Sequence, residues 1–206
     1  MAGDFLLVGL TGPMGSGKSA VAAAFADCGA FTIDTDRVAR DLVSPGKAGW
    51  QAICDEFGEE YLAEDGSLDR PLLRRAIFRD PSLRERLDRI IHPLVREELE
   101  RMLARISSHA HPPVIVVEVP LLYEAGWEAF FDLVVAVRVK QAELFRRLEA
   151  RDGMEEDEAK QALAAQMSAA EKASRADYLI DNNGPMAVTG RAVADLYARI
   201  VRDLPL

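Results

Sequence analysis

The chain has 206 residues, 49% hydrophobic and 29% charged, which suits one globular domain, or one domain with a modest insertion, that needs no disulfide or metal staple. Its 34 acidic residues against 25 Lys and Arg leave a formal charge of −9, which argues against a surface that neutralises the phosphates of duplex nucleic acid. Cys28 and Cys54 lie far apart with no His pair nearby, so they read as reduced thiols of a cytoplasmic protein rather than zinc ligands.

Phe5-Leu6-Leu7-Val8-Gly9-Leu10 is a short, continuously apolar run, the pattern of a strand buried on both faces. Asp4 and the lack of a basic region before it argue against a signal peptide, and no stretch approaches the ~18 apolar residues of a membrane span. A glycine-rich loop follows, then a helix over 18–28 that stops near Gly29. Phe31-Thr32-Ile33 predicts a second strand that ends at Asp34 and Asp36. Residues 44–111 hold no convincing strand and read as helices broken at Gly58, at Asp65-Gly66, near Pro81 and at His92-Pro93. Residues 114–119 and 133–139 predict a third and a fourth strand, and Tyr178-Leu179-Ile180 a fifth. Helical patterns cover 141–151, 155–173 and 186–203. Strands alternating with helices predict an α/β fold with a mainly parallel sheet, whose ligands bind beyond the carboxyl ends of the strands.

The loop Gly12-Pro13-Met14-Gly15-Ser16-Gly17-Lys18-Ser19 fills every fixed position of the phosphate-binding pattern G-x-x-x-x-G-K-[ST]. Gly15 and Gly17 let the backbone curl so that successive N–H groups face phosphate oxygens, and the following helix adds its positive end. Lys18 is placed to reach the β- and γ-phosphates of ATP, and the Ser19 hydroxyl to ligate Mg²⁺. Pro13 has no N–H but stands early in the loop, ahead of the amides that do the cradling. There is no N-K-x-D guanine signature, and a short chain with a helical insert and a downstream Arg-rich helix favours a small-molecule kinase.

Beyond the loop, Ile33-Asp34-Thr35-Asp36 with Ala39-Arg40, Asp65-Gly66-Ser67-Leu68-Asp69-Arg70, His92-Pro93, Val119-Pro120-Leu121-Leu122-Tyr123-Glu124, Arg147, Arg151-Asp152, Gln166 and Ile180-Asp181-Asn182-Asn183-Gly184 follow in order. In these segments the chain resembles the dephospho-CoA kinase family over nearly its full length. It differs from the usual pattern of that family at Pro13-Met14, Ala20, Thr35 and Tyr123, none of which removes a charged group. The resemblance implies a three-layer P-loop NTPase fold with a five-stranded sheet. It further implies a core of about 1–43 and 112–206, a helical substrate-binding insert of about 44–111 and a lid of about 147–160. It implies transfer of a phosphoryl group from ATP, with Mg²⁺, to the ribose 3′-hydroxyl of dephospho-CoA, the last step of coenzyme A synthesis. The expected partner is that small molecule, with no nucleic acid or membrane, and the expected state is a monomer or weak homo-oligomer.

Asp36, just past the second strand and matching the presumed base of the family, is the expected acceptor of the hydroxyl proton. Asp34 is either a water-mediated Mg²⁺ partner or a helix cap, and Glu118 either a metal-side carboxylate or a strand-end group held by amides. Arg147 and Arg151 are four apart on one helix face and resemble lid arginines; the other reading is a solvated stripe paired with Glu143 or Glu149. Gly12, Gly15, Ser16, Gly17, Lys18, Ser19, Ala20 and Asn183 form the expected nucleotide side, with Ser19 the metal ligand. Asp34, Arg40, Arg70, Arg74, Pro120, Leu121 and Glu124 form the expected acceptor side. Two other readings remain open: another P-loop nucleoside or metabolite kinase, and a nucleotide-dependent switch without catalysis.

Overall fold

The short valine-rich run Val114–Glu118 is buried at every position, as a strand covered on both faces of a sheet must be. In the computed structural model it is β3, and it pairs with β1 (Leu6–Thr11) on one side and β2 (Phe31–Asp34) on the other. β1 also pairs with β4 (Leu133–Arg138), and β4 with β5 (Tyr178–Asp181). The structure describes residues 5–109 and 112–204, and of residues 74, 78, 79 and 81 the backbone alone. Among the described residues the strands form one five-stranded sheet in the order β2-β3-β1-β4-β5, with every pairing parallel, which is the expected α/β architecture.

The chain divides into two compact units, one holding the chain up to Asp34 and from Ile106 onward, the other spanning Thr35–Arg105. In the first, α1 (Lys18–Asp27) and α9 (Met186–Arg202) cover one face of the sheet. Val8, Leu10, Phe25, Val116, Val135, Ile180, Val193 and Leu196 form the core there. Alternate residues of each strand point to that face, so a period-two pattern in the strands meets the apolar stripe of each helix. The sheet register places Asp34 and Leu10 on either side of Glu118, so two carboxylates and the exit of β1 share one edge.

The second unit is helical: α2 (Thr35–Leu42), α3 (Ala48–Phe57) and α4 (Arg70–Arg79), with most of α5 (Pro81–His109). Its own core is Val43, Ile53, Phe57, Leu68, Leu73 and Leu87. Asp69 caps α4 by accepting from the Leu72 N–H at 2.8 Å, with Pro71 in the first turn where its missing donor does no harm.

Two expected boundaries are corrected. Pro93 does not break a helix: α5 runs through it. A proline inside a helix costs about 3 kcal/mol, yet Leu87, Val95, Leu99 and Leu103 recur at helical spacing on both sides and are all buried, which outweighs that cost. Conversely, the single helix expected over 155–173 is two, α7 (Glu156–Ala164) and α8 (Ala169–Arg175). Ser168 starts the second by accepting from the Glu171 N–H at 3.1 Å. The Ser-x-x-Glu spacing of a capping box was the available signal. α6 (Gln141–Asp152) ends on Gly153 and precedes this pair. Among the described residues no helix is long and apolar enough to cross a membrane.

Candidate active site

Residues 12–19 join the central strand β1 to α1. Gly17 caps α1 at φ 84° and Gly12 stands at φ 154°. A β-carbon on Gly17 would lie 2.3 Å from Asn182 Nδ2, and one on Gly12 2.8 Å from the Val137 carbonyl, so both positions exclude any side chain. The Lys18 ammonium lies across the loop, donating to the Gly12 carbonyl at 2.9 Å and the Pro13 carbonyl at 3.1 Å. Pro13 also accepts from the Ser16 N–H at 3.1 Å, so the loop uses its carbonyl and not its missing donor. The Ser16 hydroxyl is buried and, among the described residues, has no hydrogen-bond partner. An orphaned donor inside a curl of amides at a helix N-terminus fits an oxyanion ligand. Ala20 is exposed in the first turn of α1, where its N–H bonds the Gly17 carbonyl. Ser19 Oγ donates to Glu118 Oε2 at 3.0 Å, which joins the loop to the end of β3.

The loop is braced from behind. Arg147 on α6 donates through Nη1 to the Ser16 carbonyl at 3.3 Å and through Nη2 to the Asn182 carbonyl at 2.8 Å. Its Nε donates to Glu143 Oε1 at 2.7 Å. Arg146 also bonds Glu143, and the two guanidinium groups, Arg146 foremost, pull the Glu143 carboxyl down to about 2. Arg151 is mostly exposed and is paired with Asp152, yet it lines one cavity of about 400 Å³ with Gly15, Gly17 and Arg147. Thus both expected arginines stand beside the loop, and Arg147 carries the Glu143 pairing as well as contacts to the loop. Asn183 accepts from the Lys140 N–H at 2.7 Å and bonds Asp181, at the rim of the sheet. Its neighbour Asn182, given no separate role in the sequence reading, enters the loop: Nδ2 donates to the Ser16 carbonyl at 2.9 Å.

The turn after β3 is held from two sides. The Pro120 carbonyl accepts from Thr11 Oγ1 at 3.3 Å and from Lys172 Nζ at 2.7 Å. Lys172 on α8 has a side chain 1% exposed and is paired with Glu124 at 2.8 Å. Burial pushes the Lys172 ammonium down, against the opposing pull of Glu124. Glu124 also accepts from the Met167 N–H at 2.8 Å, so its carboxylate is committed on both oxygens. Gln166 Oε1 accepts from the Met14 N–H at 3.3 Å, which ties the segment between α7 and α8 to the phosphate loop. Leu121 is half-buried beside Pro120 and its carbonyl closes the turn by accepting from the Ala125 N–H. Lys172 had no sequence signal, because Glu171-Lys172-Ala173-Ser174 looks like any solvated helix face.

In the helical unit, Asp36 is in the first turn of α2 and Arg40 in its last. The Arg40 carbonyl accepts from Arg70 Nη2 at 3.4 Å, so these two expected residues come together at the edge of α4. The side chain of Arg74 lies outside the described residues. Asp34 ends β2 beside Glu118.

A glycine-built loop feeding the central strand into a helix, with a lysine across it and a hydroxyl–carboxylate pair at the neighbouring strand end, defines a P-loop nucleotide-binding protein. Comparison with known proteins narrows the class. The dephospho-CoA kinase family model matches residues 6–187. The dephospho-CoA kinase of Syntrophotalea carbinolica is 43% identical over 196 residues, covering 95% of this chain and 92% of its own. That of Anaeromyxobacter dehalogenans is 42% identical over 203 residues, covering 97% and 96%. Among solved structures, TT1252 from Thermus thermophilus superposes with a TM-score of 0.81 at 32% identity, covering 95% of this chain and 97% of its own. The dephospho-CoA kinase of Campylobacter jejuni, at 22% identity and a TM-score of 0.68 over 95% and 97%, shares the fold. The chain belongs to the dephospho-CoA kinase family, and is an enzyme of the kinase class that takes ATP as co-substrate. The reaction of that family is the last step of coenzyme A synthesis.

Proposed function

We propose that this protein transfers the γ-phosphoryl group of ATP to the ribose 3′-hydroxyl of dephospho-CoA, giving CoA and ADP. One observation carries the reading: the family match over residues 6–187 spans the phosphate loop, Asp36, Arg147 and Arg151, and the loop within it has the glycine conformations that cradling phosphate requires. The 3′-oxygen attacks the γ-phosphorus, the bond to the β–γ bridging oxygen breaks, and the hydroxyl proton passes to Asp36. Asp36 follows by two residues the strand end at Asp34, and a base there works by hydrogen-bonding and orienting the hydroxyl.

Lys18 and the loop amides of Gly12, Gly15, Ser16, Gly17 and Ser19 hold the β- and γ-phosphates, with Ala20 in the first turn behind them. Arg147 and Arg151 neutralise charge that develops on the transferred group, from a lid of about 147–160 that includes the Gly153 turn. Asn183 lies on the adenine side. Asp34, Arg40, Arg70, Arg74, Pro120, Leu121 and Glu124 serve the acceptor, with the helical insert as its main support and Glu124 acting through the turn that Lys172 holds. Ser19 Oγ is a hard oxygen donor that would suit Mg²⁺, with the Glu118 carboxylate 3.0 Å away to orient it. Among the described residues there is no group of three or more His, Cys, Asp or Glu that could hold a metal ion. Bound beside Ser19, Mg²⁺ would supply charge neutralisation during phosphoryl transfer. The free thiols Cys28 and Cys54 suit a reducing, cytoplasmic setting, and a monomer or weak homo-oligomer suffices for this chemistry.

The test is a pair of variants. Asp36→Asn is expected to keep nucleotide binding and lose at least ~100-fold in kcat, the scale of a lost acid–base group. Lys18→Ala is expected to weaken both binding and chemistry. A near-parental kcat for Asp36→Asn would remove Asp36 from the role of base.

A further inference from the structure

The amide of Asn182 has one end against the phosphate loop and the other in the core. Nδ2 donates to the Ser16 carbonyl at 2.9 Å, and Oδ1 accepts from Thr189 Oγ1 at 2.9 Å. Both side chains are buried, Asn182 at 5% exposure and Thr189 at 0%. The chemistry allows one arrangement. A carbonyl only accepts, so the Asn182 nitrogen must face Ser16; the amide oxygen then faces Thr189, whose hydroxyl must donate. The Ser16 carbonyl therefore sets which way the amide faces, and the Thr189 hydroxyl anchors the amide oxygen in the core. That hydroxyl is spent on no local helix contact in this arrangement, although a helix threonine often back-bonds its own preceding turn.

The orientation matters because of what lies on the other side of the Ser16–Gly17 peptide. The group is planar and trans, so a carbonyl held toward Asn182 aims the Gly17 N–H the opposite way. Gly17 must be glycine for its φ of 84°, and a β-carbon there would also lie 2.3 Å from Asn182 Nδ2. Glycine also gives that peptide the freedom to rotate. The fold thus needs an outside constraint on a link that cannot constrain itself.

We infer that Thr189 is a positioning residue for the phosphate loop: through Asn182 it fixes the direction of the Gly17 amide and so the shape that receives the nucleotide. Arg147 also donates to the same carbonyl at 3.3 Å, but as a longer contact from a side chain reached by solvent. The inference rests on the nucleotide reading of the loop and is independent of which hydroxyl accepts the phosphoryl group.

Thr189→Val keeps the shape and removes the donor; Thr189→Ser keeps the donor and removes a methyl. ADP binding with Mg²⁺, measured by titration calorimetry on the full chain, separates the two. Thr189→Val is expected to bind about tenfold more weakly, the scale of one buried acceptor left unsatisfied, and Thr189→Ser within about twofold of the parent. The KM for dephospho-CoA is expected to stay within about twofold in both. A packing role for Thr189 predicts the reverse order, with Ser the weaker, and that order, or equal affinity of Val and parent, would overturn the relay. Should the Val variant not fold, Thr189→Ala against Thr189→Ser gives the same decision: Ala weakened and Ser intact, or the relay falls. Failure of the unsubstituted protein to bind ADP would instead overturn the nucleotide reading, and the relay with it.

Discussion

Ser19 Oγ and Glu118 Oε2 are 3.0 Å apart, one at the start of α1 and the other at the end of β3. The pairing follows from the sheet order: β3 is the immediate neighbour of β1, and Glu118 is in register with Leu10, just before the loop begins. A hydroxyl oriented by a carboxylate presents its lone pair to a cation, and the carboxylate adds charge one shell out. Glu118→Gln keeps the shape and removes that charge. We expect it to raise the Mg²⁺ concentration needed for half-maximal rate by roughly 10-fold or more, the scale of a lost outer-shell partner. A Mg²⁺ titration of the rate checks this, and an unchanged midpoint contradicts it.

Lys172 and Glu124 make a second, different kind of pair. Lys172 is almost fully enclosed, and breaking a buried pair leaves a charge without its partner. Lys172→Met also strips a donor from the Pro120 carbonyl. With Glu124 partly in solvent, a loss of about 3 kcal/mol is expected, at the low end for such pairs. For a chain of this size that lowers Tm by roughly 10 °C. Replacing both residues, as Lys172→Met with Glu124→Leu, is expected to recover most of the loss, because no lone charge remains. Thermal unfolding decides: a single variant within about 2 °C of the parent would contradict a buried pair.

Glu143 makes stability depend on pH. Arg146 and Arg147 hold its folded value at about 2, below the ordinary carboxylate range. A depressed carboxyl means that the unfolded chain binds the proton more readily. Its contribution is therefore complete above the ordinary glutamate value and is lost as pH falls toward about 2. The parent is expected to melt above Glu143→Gln near neutral pH, with the gap closing between the ordinary range and about 2. Melting curves of both proteins across that window give the answer, and a gap that stays constant with pH would contradict it.

Much of this was legible in the residues. The phosphate loop declares itself because glycines are required at fixed places by backbone conformation and by lack of space, as at Gly12 and Gly17. The sheet was legible because fully buried strands such as Val114–Glu118 leave an unbroken apolar run. Pro93 misled because a local rule, one lost hydrogen bond, competes with a long buried stripe that is visible only when the whole of α5 is considered. Asn182 and Lys172 were hidden for another reason. A polar side chain in a short run carries no periodic signal, and its partner at Ser16 or Glu124 is set by tertiary approach across many residues. The helix break before Ser168 was readable from its capping spacing, and the continuous polar pattern on either side obscured it.

The reaction itself is the most direct test of the enzyme's identity. The full chain, incubated with ATP, Mg²⁺ and dephospho-CoA, is expected to release ADP and form CoA in equal amounts, with the new phosphate on the ribose 3′-oxygen by mass spectrometry and NMR. A kcat of roughly 1–100 s⁻¹ is the range for such transfer. Absence of CoA, while the same preparation phosphorylates another hydroxyl or only hydrolyses ATP, would contradict the assignment.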